Sequence, residues 1–364
     1  MEKKNLTIAR MVCRREFLGG AAALAATLPS SGVSDGGKEF VWGYMPQFGN
    51  NMWGDIMTPP TRDGIRTRIL TDEEFAVICS PGYDTRTAVR FDETLWRSLS
   101  RQIRDDGSNL LLIDLGEFIV YPRHPELAVD GSWSAEKMQS EVRRLKRMGF
   151  AVVPKLNFSC CHDFWLKDYA RMVSTAKYYQ VVADLIRDAY EIFDRPEFIH
   201  LGMDEEDIVE YQSRNTTLVR FRQGDLWWHD VRYLIDCVEK LGCRAWVWSD
   251  YIRRHTMDEF ARKMPKTVLQ SPWTYRTEKP SFDDPLIKIY LSLCEAGYDV
   301  IPCASNCYGL KENFPATAVF CKRNLPAERY KGMLMAPWVK TRAPYGRLLR
   351  EASSLVAEAR RRVG

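Results

Sequence analysis

Eight apolar runs of strand length recur along the chain, and helical patterns fill most of the intervals between them. The runs fall at 40–45, 109–117, 150–158, 198–204, 244–251, 267–273, 299–307 and 332–339. They are nearly continuous rather than alternating, the pattern of parallel strands buried on both faces. Between them, residues 135–148 place Met138, Val142, Leu145 and Met148 on one stripe behind Ser134, a helix with its N-cap. Residues 178–193 repeat the stripe with Val182, Leu185, Ile186, Ala189 and Phe193, and 226–241 with Val231, Leu234, Ile235 and Val238. The segments RMGF, KLGC and EAGY each end a helical pattern at a glycine just before a strand. The closing stretch RLLREASSLVAEARRR predicts a terminal helix whose basic end suits a helix C-terminus.

Strand and helix alternate over about 320 residues, which predicts a (β/α)8 TIM barrel, a single α/β domain over 35–364. An open doubly wound sheet is the runner-up, weakened because no Gly-rich phosphate loop follows the first strand. Residues 49–91 read as a long insertion after that strand, rich in Pro, Gly, Asp and Arg. A connection of that length shapes a binding site or packs as an extra subdomain.

The N-terminus departs from this pattern. CRREFLGGAAALAATLPSSG places Arg14 and Arg15 before Phe17 and Leu18, then a short Ala-rich apolar run. That is the form of a twin-arginine export signal over 1–34, and the run is too short and weak to remain as a membrane span. The expected location is therefore the periplasm or beyond, in a bacterial source, after a transient encounter with the export machinery. Removing 1–34 takes away Lys3, Lys4, Arg10, Arg14 and Arg15 against Glu2 and Glu16, so the net charge falls from +4 to about +1. No basic footprint for nucleic acid or an anionic membrane is left.

The chain has 364 residues, 45% of them hydrophobic, enough for one large barrel core. Of its 10 cysteines, nine lie beyond the signal, and no CxxC pair has a His partner set, so neither a zinc site nor a cofactor is expected. Most sit in apolar runs and read as small buried hydrophobes. The 11 Trp and 16 Tyr suit a carbohydrate-facing cleft, although a large core uses the same residues.

In such a barrel the C-terminal strand ends carry the chemistry. The second run ends in Asp114 and Glu117, and the third in Asn157, followed by His162 and Asp163. The fourth supplies His200, Asp204 and Glu205, the fifth Trp248 and Asp250. Trp273 and Tyr275, Asn306 and Tyr308, and Trp338 complete the circle. Carboxylates among aromatic walls point to sugar chemistry, because aromatic faces stack on pyranose rings while carboxyls move protons. In FIHLGMDEED (198–207), four acids in a row follow an apolar strand. Asp204 and Glu205 are expected to reach a pocket where the strand turns, and Glu206 and Asp207 to start a helix, where the dipole favours acids.

FIHLGMDEE resembles the His-x-Gly-Gly-Asp-Glu signature of the family-20 glycoside hydrolases, the β-N-acetylhexosaminidases. SNLLLIDLGEFIVYPRHPEL, VVPKLNFSCCHDFW, WVWSDY, TVLQSPW with AGYDVIPCASNCYG, and LMAPWV are similar to other strand regions of that family, in the same order. The resemblance implies substrate-assisted hydrolysis in which the sugar's own 2-acetamido oxygen attacks the anomeric carbon. Asp204 would then orient the acetamido group, and Glu205 would protonate the leaving oxygen. Tyr308 would donate to the acetamido oxygen, Trp273 and Trp338 would wall the pocket, and Asp250 would bind hydroxyls. His162, Asp163, Asn157, Trp248, Asn306 and Glu117 are further candidates to touch the sugar. The chain departs from the signature at Met203, which stands where the family has a second glycine. The first-strand region carries Trp42, Tyr44, Gln47 and Asn50 where the family keeps an arginine. No counterpart of the family's N-terminal accessory domain is expected from this sequence. Two other readings stand beside this one: Glu117 as the nucleophile of an ordinary retaining glycosidase, and a non-catalytic carbohydrate-binding barrel.

Overall fold

Eight parallel strands form one sheet: β1 (Val41–Tyr44), β2 (Leu110–Asp114), β3 (Ala151–Lys155), β4 (Phe198–His200), β5 (Arg244–Trp248), β6 (Leu269–Ser271), β7 (Cys303–Ala304) and β8 (Gly332–Met335). Their order is β6-β5-β4-β3-β2-β1-β8-β7. The parallel bridges Gln270–Val300 and Trp273–Cys303 join the two ends and close the ring. This is the (β/α)8 barrel expected from the sequence. The computed structural model describes residues 39–49, 71–73, 76, 88–206 and 222–364, and the barrel unit runs Phe40–Gly364. The export segment expected at 1–34, most of the insertion expected at 49–91, and Asp207 lie outside the described residues.

The described α-helices follow the strands as α1 (Glu93–Asp105), α2 (Ala135–Arg147), α3 (Ala176–Ile192), α4 (Gly224–Glu239), α5 (Met257–Lys263), α6 (Pro285–Glu295), α7 (Asn313–Asn324) and α8 (Gly346–Val363). Short polar side chains start several of them. Asp92 accepts from Leu95 N–H, Ser134 from Lys137 N–H and Thr175 from Tyr178 N–H, each satisfying a donor with no partner inside its helix. None of the described helices is long and apolar enough to cross a membrane.

Period-two alternation along the strands makes two cores. Leu111, Ile113, Val152, Ile199, Ala245, Val247, Met333 and Met335 face outward and pack with the helices. Leu110, Leu112, Val153, Trp246, Trp248, Leu334 and Ala336 face inward and fill the barrel. The same alternation carries Asp114, Lys155 and His200 inward at the C-terminal ends of their strands, all buried. The seventh run pairs as a strand only over Cys303–Ala304, directly after Pro302, which has no N–H to contribute. Tyr44 of β1 donates its hydroxyl to Leu349 O of α8 at 2.8 Å, which pins the last helix to the first strand.

Candidate active site

The turn after β4 answers how two neighbouring carboxylates reach one place. Gly202, Met203 and Glu205 have φ of 78°, 71° and 53°, all left-handed. For the two non-glycine residues this backbone costs about 1–2 kcal/mol each. The fold holds the turn by hydrogen bonds from Trp248 N–H to Gly202 O, Ser159 Oγ to Asp204 O, and Cys161 Sγ to Glu205 O at 2.8 Å. A glycine would adopt the conformation of Met203 without strain. Met203 keeps its side chain 2% exposed in the helix-facing core, so packing occupies the place where the family signature has flexibility.

His162, from the loop after β3, sits between the two acids. Its Nε2 is 3.2 Å from Asp204 Oδ2 and 3.1 Å from Glu205 Oε2. Burial alone would lower the imidazole pKa, but the Asp204 and Glu205 carboxylates outweigh it and raise the value to about 9. Burial would likewise raise Asp204. The His162 charge and hydrogen bond, Lys155 and the Asn157 amide outweigh it and hold Asp204 below the ordinary carboxylate range. Asn157 Nδ2 donates to Asp204 Oδ1 at 2.9 Å, while Asn157 Oδ1 accepts from Ser159 N–H at 3.1 Å. The charge conflict visible in the sequence is thus relieved by a protonated imidazole. His162, Asp204 and Glu205 offer ligand atoms within 4.8 Å of one another, a spacing that could also bracket a cation. A cation bound there would have to displace the proton that His162 shares with the two carboxylates.

Glu206, the third acid, has a side chain only 2% exposed that grips Arg222 at 2.7 Å; the helix start expected at Glu206 and Asp207 falls on 207–221, outside the described residues. Arg222 also reaches Phe158 O at 2.7 Å and Asp230 at 3.3 Å, and Glu206 accepts from Cys160 N–H at 3.2 Å. This buried ion cluster ties the loop carrying His162 to the turn carrying Asp204. The sequence gives no hint of this partner because Arg222 lies sixteen positions on.

A second group faces the same space from β5 and β6. Asp250 Oδ2 accepts from Trp273 Nε1 at 2.8 Å. Arg253 lies 3.5 Å from Asp250 Oδ1 and places its guanidinium 3.6 Å from the Trp273 ring centre. Burial, then the charges of Asp204 and Glu205 against the pull of Arg253, lift the Asp250 pKa to about 7. Trp273 stacks on Tyr275 at 4.7 Å and 14° between planes. Trp338, with φ of 55°, lies 5.9 Å from Trp248, and Trp248 lies 4.7 Å from His200. Tyr308 is half-buried and packs on the inner core beside this wall, with Arg276 5.5 Å from its ring.

The other candidates have different duties. His200 accepts from Gly202 N–H at 3.0 Å through Nδ1, and burial and then Lys155 push its pKa well down, so it is a neutral support beneath the turn. Asn306 donates to Leu348 O and Glu351, which docks its loop on α8. Asp163 is buried at the head of the turn 164–171, where its charge is felt by Tyr178. Glu117 is fully buried in the turn Gly116–Phe118, close enough to raise the pKa of the Tyr121 phenol. None of the cysteines among the described residues is in a disulfide. Sequence reasoning missed Lys155, Arg222 and Arg253. Lys155 had a signal, a lysine two positions before Asn157 on an otherwise apolar strand. Arg253 had a weaker one, three residues beyond Asp250 at a helical-turn spacing.

No protein-family model matches the chain, and no curated protein is similar to it in sequence. Solved structures do match. The β-N-acetylhexosaminidase of Bacteroides fragilis superposes with a TM-score of 0.56 at 14% identity, over 86% of this chain and 65% of that one. The family-20 exo-β-N-acetylglucosaminidase of Vibrio harveyi, solved with N-acetylglucosamine, gives 0.52 at 14% identity over 75% and 52%. The family-20 β-N-acetylhexosaminidase of Streptomyces coelicolor A3(2) gives 0.51 at 14% identity over 71% and 60%. The chain therefore spans only about half to two thirds of the length of these proteins. What it shares with them at this distance is the barrel: the chain has the fold of the family-20 glycoside hydrolases.

Proposed function

We propose that the chain is a retaining glycoside hydrolase that removes a β-linked N-acetylhexosamine or a close relative, using the substrate's own 2-acetamido oxygen as nucleophile. One observation carries this reading: a single imidazole bridges Asp204 and Glu205 at the C-terminal face of the barrel. Likeness of fold to solved hexosaminidases supports it. A carbohydrate-binding barrel without chemistry would have no use for two adjacent carboxylates, one on a left-handed backbone, sharing one proton donor.

Asp204, held anionic, accepts from the acetamido N–H and sharpens the nucleophilicity of its carbonyl oxygen. That oxygen bonds to the anomeric carbon as the glycosidic bond breaks. Glu205 passes to the leaving oxygen the proton it shares with His162 across 3.1 Å. In the second half Glu205 takes a proton from water, whose oxygen opens the cyclised intermediate and restores the original configuration. Trp248, Trp273 and Trp338 wall the pocket, Tyr308 donates to the acetamido oxygen, and Asp250 takes sugar hydroxyls. Where the family keeps an arginine, Trp42 and Tyr44 pack outward against the helices and Gln47 is buried just after the strand, so the missing arginine supports a sugar or linkage recognised differently at that end. We further propose export through the twin-arginine signal, to the periplasm or outside the cell.

A thiazoline mimic of the cyclised intermediate tests the chemistry. Competitive inhibition of aryl β-N-acetylhexosaminide hydrolysis is expected, with loss of the inhibition in Asp204→Asn. Hydrolysis that the thiazoline leaves untouched would instead favour a protein nucleophile such as Glu117.

A further inference from the structure

Lys155 is the one lysine among the described residues that is completely buried. It ends β3, where its backbone pairs with Asp114 on one side and His200 on the other. Alternation along the strand sends Val153, Lys155 and Asn157 to the same inner face, and Asn157 holds Asp204. The ammonium therefore lies one residue pair beneath that hydrogen bond, inside the barrel.

Its partners are few. Nζ stands 3.0 Å from Asp114 Oδ2, yet neither atom completes a hydrogen bond of good geometry. The Trp338 ring centre is 5.9 Å away. An ammonium sealed from water with one imperfect partner is an expensive way to fill space that leucine or methionine would fill. The groups facing it explain its use. Asp114 and Asp204 repel each other across the interior, and Lys155 opposes that repulsion at both. His162, Glu205 and Asp250 face Asp204 from the pocket side, and His200 and Cys303 lie below, both within the field of Lys155. Of these, His162 and Lys155 are the cations that act on Asp204.

We propose that Lys155 is a positioning residue, a sealed ammonium beneath the pocket that offsets the paired negative charge of Asp114 and Asp204 and so keeps Asp204 ionised in its place against Asn157 and His162. The catalytic part of this inference rests on the function proposed above; the electrostatic part does not.

The experiment separates the two. Protein labelled with 13C at the aspartate carboxyl carbon is titrated by NMR, with the Asp204 signal assigned by its loss in Asp204→Asn. The wild type, Lys155→Met and Asp114→Asn/Lys155→Met are compared; the double variant removes the buried charge without stranding Asp114, which protects against misfolding. The Asp204 midpoint is expected to rise by about one pH unit or more in Lys155→Met, equivalent to a tenfold change in its protonation equilibrium, and to fall back toward the wild-type value in the double variant, where the repelling Asp114 charge goes with the lysine. With aryl β-N-acetylhexosaminide as substrate, the acid limb of kcat is expected to move up with it. A midpoint unchanged in Lys155→Met, or one raised as far in the double variant, overturns the proposal, as does an acid limb in Lys155→Met that stays put while kcat falls equally at every pH. A shifted midpoint in a protein that cleaves no such glycoside overturns the function and leaves the electrostatic role of Lys155 standing.

Discussion

A side-chain carbon on Gly202 would lie 2.1 Å from Oδ1 of Asn157. The missing side chain is what lets Asn157 approach the turn and hold Asp204 at 2.9 Å. Gly202→Ala combines that clash with a left-handed φ of 78°. Breaking a hydrogen bond to a charged group costs about 1.5–3 kcal/mol, so a roughly ten- to hundredfold loss of turnover is expected. Kinetics on an aryl β-N-acetylhexosaminide, with circular dichroism to confirm folding, measures it.

His162 makes stability depend on pH. Its folded pKa of about 9 lies above the unfolded value, so its contribution is full below about pH 6.5 and is lost as the pH rises through 9. Integrated over that window, the effect is on the order of 3 kcal/mol. Urea unfolding at the two ends of the window is expected to show the wild type losing stability and His162→Gln staying nearly level between them.

Asp250 titrates close to neutrality because burial and the Asp204–Glu205 charges work against Arg253. Its raised folded pKa means the protonated form is the favoured one, and ionisation near pH 7 works against the folded site. Asp250→Asn fixes a neutral group of the same shape. The dependence of KM on pH around neutrality is expected to flatten in this variant, with KM at acid pH changed about threefold or less.

Glu206 and Arg222 form a buried pair, both side chains 2% exposed. Removing one partner strands the other charge, and Arg222→Met is expected to destabilise the protein by about 3–5 kcal/mol. Glu206→Gln/Arg222→Met is expected to recover part of that loss. Thermal unfolding of the three proteins reads the difference.

The barrel was legible because its signals are local and repeated. The strand runs are apolar on both faces, and Ser134 and the glycines of RMGF, KLGC and EAGY mark helix ends. Asp204 and Glu205 were legible for the same reason, as polar residues in an apolar frame. The partners that make them a site are distant in sequence: His162 lies 43 positions from Glu205, and Arg253 meets Trp273 across 20. The buried arginine that receives Glu206 was not legible, because an acid after a strand looks the same locally whichever distant group it meets. Lys155 shows the opposite case, a residue whose inward direction followed from alternation while its burial partners did not. The left-handed backbone at Met203 had one hint, the glycine of the family signature at that position, and that at Glu205 had none.

The most direct test of the central claim is the turnover of an aryl β-N-acetylglucosaminide by the wild type and by Asp204→Asn under the same conditions. Hydrolysis by the wild type, falling in the variant by a factor on the order of a hundred or more, is the predicted result. Equal turnover by both proteins, or none by the wild type, would contradict the assignment of Asp204 and Glu205 as the groups that act on a 2-acetamido sugar.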